Sequence, residues 1–212
     1  MKAFALTHSF WFESTPAQGL WAYSLFKDVR SLSKLEVNIE NLAFPENETD
    51  LNGKDPFADV LGDGWEAFTE IFMEVFGLNP HINFTNLAVC QKGQRGVDFT
   101  GTDVKGRNST IQSKYKGRAK AWNIELAQGP AMQLERMLIA SQNEFNVDVK
   151  HQKNIIVFTN AKGVHEWTLD NTLYNKVVSI GRPQIRSLVD HNPAFWDLSR
   201  KCIEATVPGL TF

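Results

Sequence analysis

Three residues in one short stretch have the types and spacing of a hydrolytic site. Between Gly96 and Trp122 the chain reads GVDFTGTDVKGRNSTIQSKYKGRAKAW. Asp98 offers a carboxylate on one β-like run, and Gln112 and Lys114 stand two apart on the next. Side chains alternate along a strand, so Gln112 and Lys114 share a face, and in an antiparallel hairpin Asp98 lies within reach of it. Phosphodiester hydrolysis needs such a set. A divalent cation neutralises charge and lowers the pKa of an attacking water. Mg²⁺ takes oxygen ligands, commonly only one or two protein carboxylates, with water and substrate filling the rest. A nearby lysine positions the water and offsets charge building on phosphorus.

The charge around this set is uneven. From Val104 to Ile124 there are six basic residues and no acidic one, whereas Glu36 to Glu74 holds eleven acidic residues and one basic, Lys54. The formal net charge of −2 therefore hides one acidic segment and one basic strip. Lys105, Arg107, Lys116, Arg118 and Lys120, with Tyr115 and Trp122 interleaved, have the composition of a phosphate-binding strip. Neutralising phosphates gives sequence-independent, salt-sensitive affinity. Arg95, in the glycine-framed turn GQRG before Asp98, joins this nucleic-acid-binding set.

The elements that must position these groups are legible. Residues 16–43 read as helical, with Leu20, Trp21, Leu25 and Phe26 at helical spacing. FPENETDLNGKDPF follows as a linker or long loop. GDGWEAFTEIFMEVFGLNP is a helix whose apolar face is Trp65, Phe68, Ile71, Phe72, Val75 and Phe76, ended by Gly77 and Pro80. Glu66, Glu70 and Glu74 lie four apart opposite that face, an acidic stripe of the kind that is usually solvated. HINFTNLAVC reads as a strand, and Val97–Thr102 with Ser109–Tyr115 as a hairpin pair around Gly106. GPAMQLERMLIASQNEF is a second helix, and KNIIVFTNA a buried central strand. A strand near Lys176–Ile180 and helical pieces at Gln184–Asp190 and Ala194–Cys202 complete the chain. This order predicts an α/β fold, a central mixed sheet flanked by helices.

A helix carrying Trp65-Glu66, then Gly96-Val97-Asp98, then Ile111-Gln112-Ser113-Lys114-Tyr115, resembles the PD-(D/E)xK nuclease superfamily. The nearest group is the Mrr-like restriction endonucleases, where glutamine often replaces the acid of the last motif. The resemblance covers about Gly64 to Phe158, under half the chain. It implies a restriction-endonuclease-like core with an N-terminal helical segment and a C-terminal extension. Asp98 resembles the metal-binding aspartate, Lys114 the catalytic lysine, Gln112 the ligand before it, and Glu66 the accessory helix acid, with Glu70 as the alternative. The backbone carbonyl of Ser113 would be a further metal ligand. The catalytic set is thus Glu66, Asp98, Gln112 and Lys114, and the implied cofactor is Mg²⁺, with Mn²⁺ substituting. Two departures matter: Val97 stands where the family has proline, and neutral Gln112 removes one negative charge, which implies weaker metal binding or a single tightly held ion.

The expected domains are 1–55, a helical segment and linker; 56–165, the nuclease core; and 166–212, an extension packed on that core. The expected function is a Mg²⁺-dependent DNA endonuclease that acts on double-stranded DNA, as a homodimer if both strands are cut together. The alternatives are a catalytically silent nucleic-acid-binding module of the same fold, an RNA or tRNA nuclease, and a protein-interaction domain.

Other chemistries lack support. Cys90 and Cys202 form neither a disulfide framework nor a CxxC pair, and Cys90, closing an apolar run, is expected to be buried. His8, His81, His151, His165 and His191 are scattered without zinc-ligand spacing. G-x-S-x-G, P-loop and G-x-G-x-x-G patterns do not occur, which argues against acyl transfer and nucleotide cofactors. The N-terminus makes a poor signal peptide and no window suits a membrane span, so the expectation is an intracellular, cytoplasmic protein. Asn47, Asn83 and Asn108 begin N-x-S/T triplets, read as chance in that compartment. Trp167, Phe195 and Trp196 are expected in a core or interface.

Overall fold

The structure is a computed structural model, and it describes residues 2–7, 23–43, 58–90, 96–116, 129–149, 154–164, 177–207 and 209–212. Its elements run α1 (Leu32–Ala43), α2 (Ala58–Phe76), β1 (Thr85–Val89), β2 (Phe99–Thr102), β3 (Asn108–Lys114), α3 (Gly129–Asn143), β4 (Ile155–Thr159), β5 (Val177–Ile180), α4 (Arg182–Val189) and α5 (Pro193–Thr206). The fold is α/β with a five-stranded mixed sheet flanked by helices. None of the described helices is long and apolar enough to cross a membrane.

The chain divides into two compact units, Met1–Ile71 with Ile185–Phe212, and Phe72–Gln184. The first unit joins segments from the two ends of the chain. The Leu6 N–H donates to Thr206 Oγ1 at 2.8 Å, and Arg200 donates to the Val29 carbonyl at 3.0 Å. Phe68 stacks on Trp196 with ring centroids 6.0 Å apart and meets Phe195 edge-on at 6.1 Å. These aromatic pairs place Phe195 and Trp196 in a core, as expected from sequence, and Trp196 satisfies its indole N–H on the Val189 carbonyl. Asn192 caps α5 by accepting the Phe195 N–H at 3.0 Å, and Pro193 follows in the first turn, where its missing N–H costs nothing.

Two readings in this unit need correction. The helix expected over 16–43 is not continuous. Asp28 has φ 56°, in the left-handed region that a helix cannot hold, and α1 starts afresh at Leu32. The Leu32 N–H is capped by Asp190 Oδ1 at 2.8 Å, a cap from 158 residues away that no local pattern shows. The acidic stripe on α2 is not a solvated face either. Glu74 is exposed and Glu66 half-buried, but Glu70 is 2% exposed and accepts both the N–H and the hydroxyl of Thr7, at 2.5 and 2.6 Å. Two hydrogen bonds to a carboxylate offset its loss of water.

The second unit holds the sheet. Its order is β1-β2-β3-β4-β5, with β1–β2–β3 antiparallel and β3, β4 and β5 parallel. The crossover from β3 to β4 carries α3, as parallel neighbours require. β4 is buried at every position, and this explains its unbroken apolar run. One face of the sheet meets α2 through Phe72 and Phe158, 5.0 Å apart. The other supports α3, whose Leu134, Met137 and Ala140 join Ile155, Val157 and Val177 in one cluster. Ser141 spends its proton on the Met137 carbonyl at 2.6 Å, so Thr110 is the donor in the 2.7 Å hydroxyl pair that pins β3 to α3. Gly101 is required where it stands: a Cβ there would lie 2.5 Å from the Phe84 ring and from the Thr85 carbonyl oxygen.

Candidate functional site

The β2–β3 hairpin is built as expected, with Phe99 opposite Ile111 and Thr102 opposite Asn108. β2 begins two residues later than the sequence suggests, β3 keeps seven residues but starts and ends one earlier, and Asp98 sits immediately before β2. Its N–H still bonds the Ile111 carbonyl at 2.9 Å, and its carbonyl accepts the Cys90 N–H at 2.9 Å. Asp98 is therefore held between β1 and β3 by its backbone, and its side chain crosses to β3. Asp98 Oδ2 accepts the backbone N–H of Ser113 at 2.6 Å. This brings Asp98 directly onto the segment Gln112-Ser113-Lys114.

Gln112 is registered against Val157 of β4 and lies on the α3 side of the sheet, 3% exposed. Its Nε2 has no hydrogen-bond partner among the described residues. A buried amide with an unmet group is costly and calls for a partner. Turning the amide over exchanges its nitrogen and oxygen, and such a flip is an assignment from the surrounding bonds. Lys114, the last residue of β3, is half-buried. Beyond it the strand exit is clamped: Asn160, fully buried, accepts the Lys116 N–H and donates to the Lys116 carbonyl, both at 2.7 Å. Asn160 extends the β3–β4 pairing by one side chain, a role that nothing in the sequence marks.

Cys90 is half-buried rather than buried. Its thiol is pushed up to about 11, first by desolvation and then by the Asp98 charge, against a lowering hydrogen bond with Thr100. The Asp98 carboxylate thus reaches Cys90 electrostatically as well as Ser113 by contact.

The other predicted residues divide. Glu66 belongs to the first unit and Asp98, Gln112, Ser113 and Lys114 to the second. Glu70, the alternative helix acid, is committed to Thr7. Arg95, Arg118 and Lys120 lie outside the described residues, as do Trp122 and Trp167. Lys105 and Arg107 occupy the hairpin turn, at the opposite end of β2 and β3 from Asp98 and Lys114. At about 3.3 Å per residue, four to six residues of strand put them roughly 13 to 20 Å away. Arg107 is also occupied there. Its Nε and a terminal nitrogen both lie 2.6 Å from Asp103 Oδ2, while Asp103 Oδ1 accepts the N–H groups of Lys105 and Arg107 at 2.8 and 2.9 Å. Burial alone would raise the Asp103 carboxyl, but these hydrogen bonds and the Arg107 charge outweigh it and hold it below the usual range.

The donor set suits a hard cation. Asp98 offers a carboxylate that already accepts the Ser113 N–H, and Gln112 can present an amide oxygen at its unsatisfied position. Such a pair resembles the sparse protein ligation that Mg²⁺ accepts. Among the described residues no group of three or more His, Cys, Asp or Glu could hold a metal ion, and Asp98 is the one acid in the set Asp98, Gln112, Ser113 and Lys114. Comparison with family models, with curated proteins and with solved structures returned no match to this chain.

Proposed function

We propose that this chain is a divalent-metal-dependent endonuclease of the PD-(D/E)xK type, with a restriction-endonuclease-like core, acting on double-stranded DNA. The observation that carries the reading is the Asp98 carboxylate bonded to Ser113 between Gln112 and Lys114, at the open end of the hairpin. The helix, the strand entered through Gly96-Val97-Asp98 and the strand bearing Gln112-Ser113-Lys114 occur in the order the resemblance requires. Asp98, Gln112 and the Ser113 carbonyl would hold Mg²⁺ or Mn²⁺, which would supply charge neutralisation and a more acidic water. Lys114 orients that water and offsets the charge that grows on the phosphoryl oxygens. The water oxygen bonds phosphorus, the bond from phosphorus to the 3′ oxygen breaks, and a proton passes to that oxygen. The products carry a 5′-phosphate and a 3′-hydroxyl.

A plasmid-nicking assay tests this with wild type, Asp98→Ala and Lys114→Ala, each with Mg²⁺, Mn²⁺ or EDTA. Cleavage by wild type with metal and by neither variant is the expected result. Equal cutting by all three proteins would sink the assignment. One observation favours a second reading: Asp98 is the one acidic residue among Asp98, Gln112, Ser113 and Lys114, which fits a binding module that has lost cleavage. Salt-sensitive binding of the plasmid without any cutting would select it.

A further inference from the structure

We infer that the nucleic-acid path runs across the carboxyl ends of the parallel strands, over Lys116, Lys162 and Arg182, and not along the hairpin towards Lys105 and Arg107. The inference rests on the nuclease reading and gives its substrate a direction. Lys114 and Lys116 leave β3, Lys162 follows β4 and Arg182 follows β5. Register ties these ends together, since Lys114 pairs with Thr159 and Phe158 with Ile180. Direct bonds continue the row: Lys116 to Asn160 at 2.7 Å both ways, and Arg182 N–H to the Ala161 carbonyl at 2.6 Å. Gly181 lies so close to the Lys162 carbonyl that a Cβ would come within 2.2 Å of its oxygen, and the Val164 N–H is held by Ser179 Oγ at 2.9 Å. The backbones that carry the cations are therefore fixed against one another.

Two strand spacings separate the β3 and β5 exits, about 10 Å. One DNA strand presents a charge every 3.4 Å or so of helix axis, so this row matches about three phosphates. The segments 113–116, 159–164 and 179–184 contain no acidic residue, and Asp98 enters the same end from β2. At the hairpin turn an acid is present, and Arg107 is paired with Asp103. Lys162 and Arg182 lie far from the basic strip in sequence, so only the parallel pairing brings them to it.

The test is the salt dependence of duplex affinity, read by fluorescence anisotropy on a 20-base-pair duplex in EDTA. Lys162→Ala and Arg182→Gln are compared with wild type, with Lys105→Ala, and with Lys201→Ala on an exposed position of α5. Each of the first two should lower the slope of log affinity against log salt by about 1, the double variant by about 2, and Lys201→Ala should not move it. Exposed Lys162 carries the test alone if Arg182→Gln loses its fold. A steep wild-type slope unchanged in Lys162→Ala and Arg182→Gln, or a loss in Lys105→Ala instead, overturns the path while leaving the nuclease reading standing. A wild type that shows no salt-sensitive binding to duplex overturns both.

Discussion

The carboxylate of Asp98 and the backbone N–H of Ser113 are joined at 2.6 Å, across the end of the hairpin where regular pairing stops. A side chain here continues the ladder and ties the Asp98 carboxylate to the segment Gln112-Ser113-Lys114. Asp98→Asn should keep the bond to Ser113 through its amide oxygen while removing the charge. We expect cleavage to fall by about 100-fold or more, with duplex affinity in EDTA retained or tightened. A variant that cuts like wild type would show that the charge of Asp98 has no part in the reaction.

Gln112 supplies the reverse experiment. Gln112→Glu adds a second carboxylate to a site that has one, so the Mg²⁺ concentration for half-maximal cleavage should fall several-fold. The protein should lose stability without metal, since the new carboxylate is buried at a position 3% exposed. Added Mg²⁺ should recover part of the lost melting temperature, because a ligand bound only to the folded state stabilises it. No shift in either quantity would remove Gln112 from the metal's neighbourhood.

Cys90 reports on the same carboxylate without any catalysis. With its thiol near 11, it is almost wholly protonated at pH 8 and should react slowly with a thiol reagent. Its rate should climb as pH approaches 11, and Asp98→Asn should speed it at fixed pH by removing the charge that disfavours thiolate. Cys202, fully buried, should stay silent until unfolding. Identical Cys90 rates in the two proteins would mean that the Asp98 charge does not reach it.

Asp103 organises the hairpin turn, and its carboxylate is the group to follow in acid. Its folded value lies below the unfolded one near 3.9, so the unfolded chain binds the proton first as pH falls. The stabilisation is complete above about pH 4 to 5 and is lost as pH drops through the folded value. Asp103→Ala should cost about 2 kcal/mol at neutral pH by stranding turn N–H groups and Arg107. In the variant, denaturant midpoints should show less acid sensitivity in that window. Equal acid sensitivity in both proteins would assign the loss to other carboxylates.

Much of the second unit was legible from pattern because its elements are locally specified. The apolar run of β4 is buried throughout. The α2 spacing, shared between the two units, selects Trp65, Phe68, Ile71 and Phe72, all buried. β3, by contrast, is buried at five successive positions and not alternately. The candidate site shares this local origin, since Gln112, Ser113 and Lys114 are contiguous and Asp98 is one hairpin away. Glu70 escaped the same reasoning. Four-residue spacing describes a stripe on an isolated helix, but its environment is set by Thr7, which is 63 positions away. The break in the 16–43 helix was hidden for a similar reason, as its new start is capped by Asp190.

By itself, then, the sequence determined most of the helices and strands, their order, and the placing of Asp98, Gln112 and Lys114 on one hairpin, because periodicity and a single tight turn act over a few residues. Only the tertiary structure decided that Asn160 clamps Lys116, that Arg107 is spent on Asp103, and that Lys162 and Arg182 leave the sheet at the same end as the β3 exit. Those outcomes depend on parallel pairing and on bonds between distant segments. Parallel neighbours are joined by long crossovers, so the residues that they bring together leave no spacing in the chain to read.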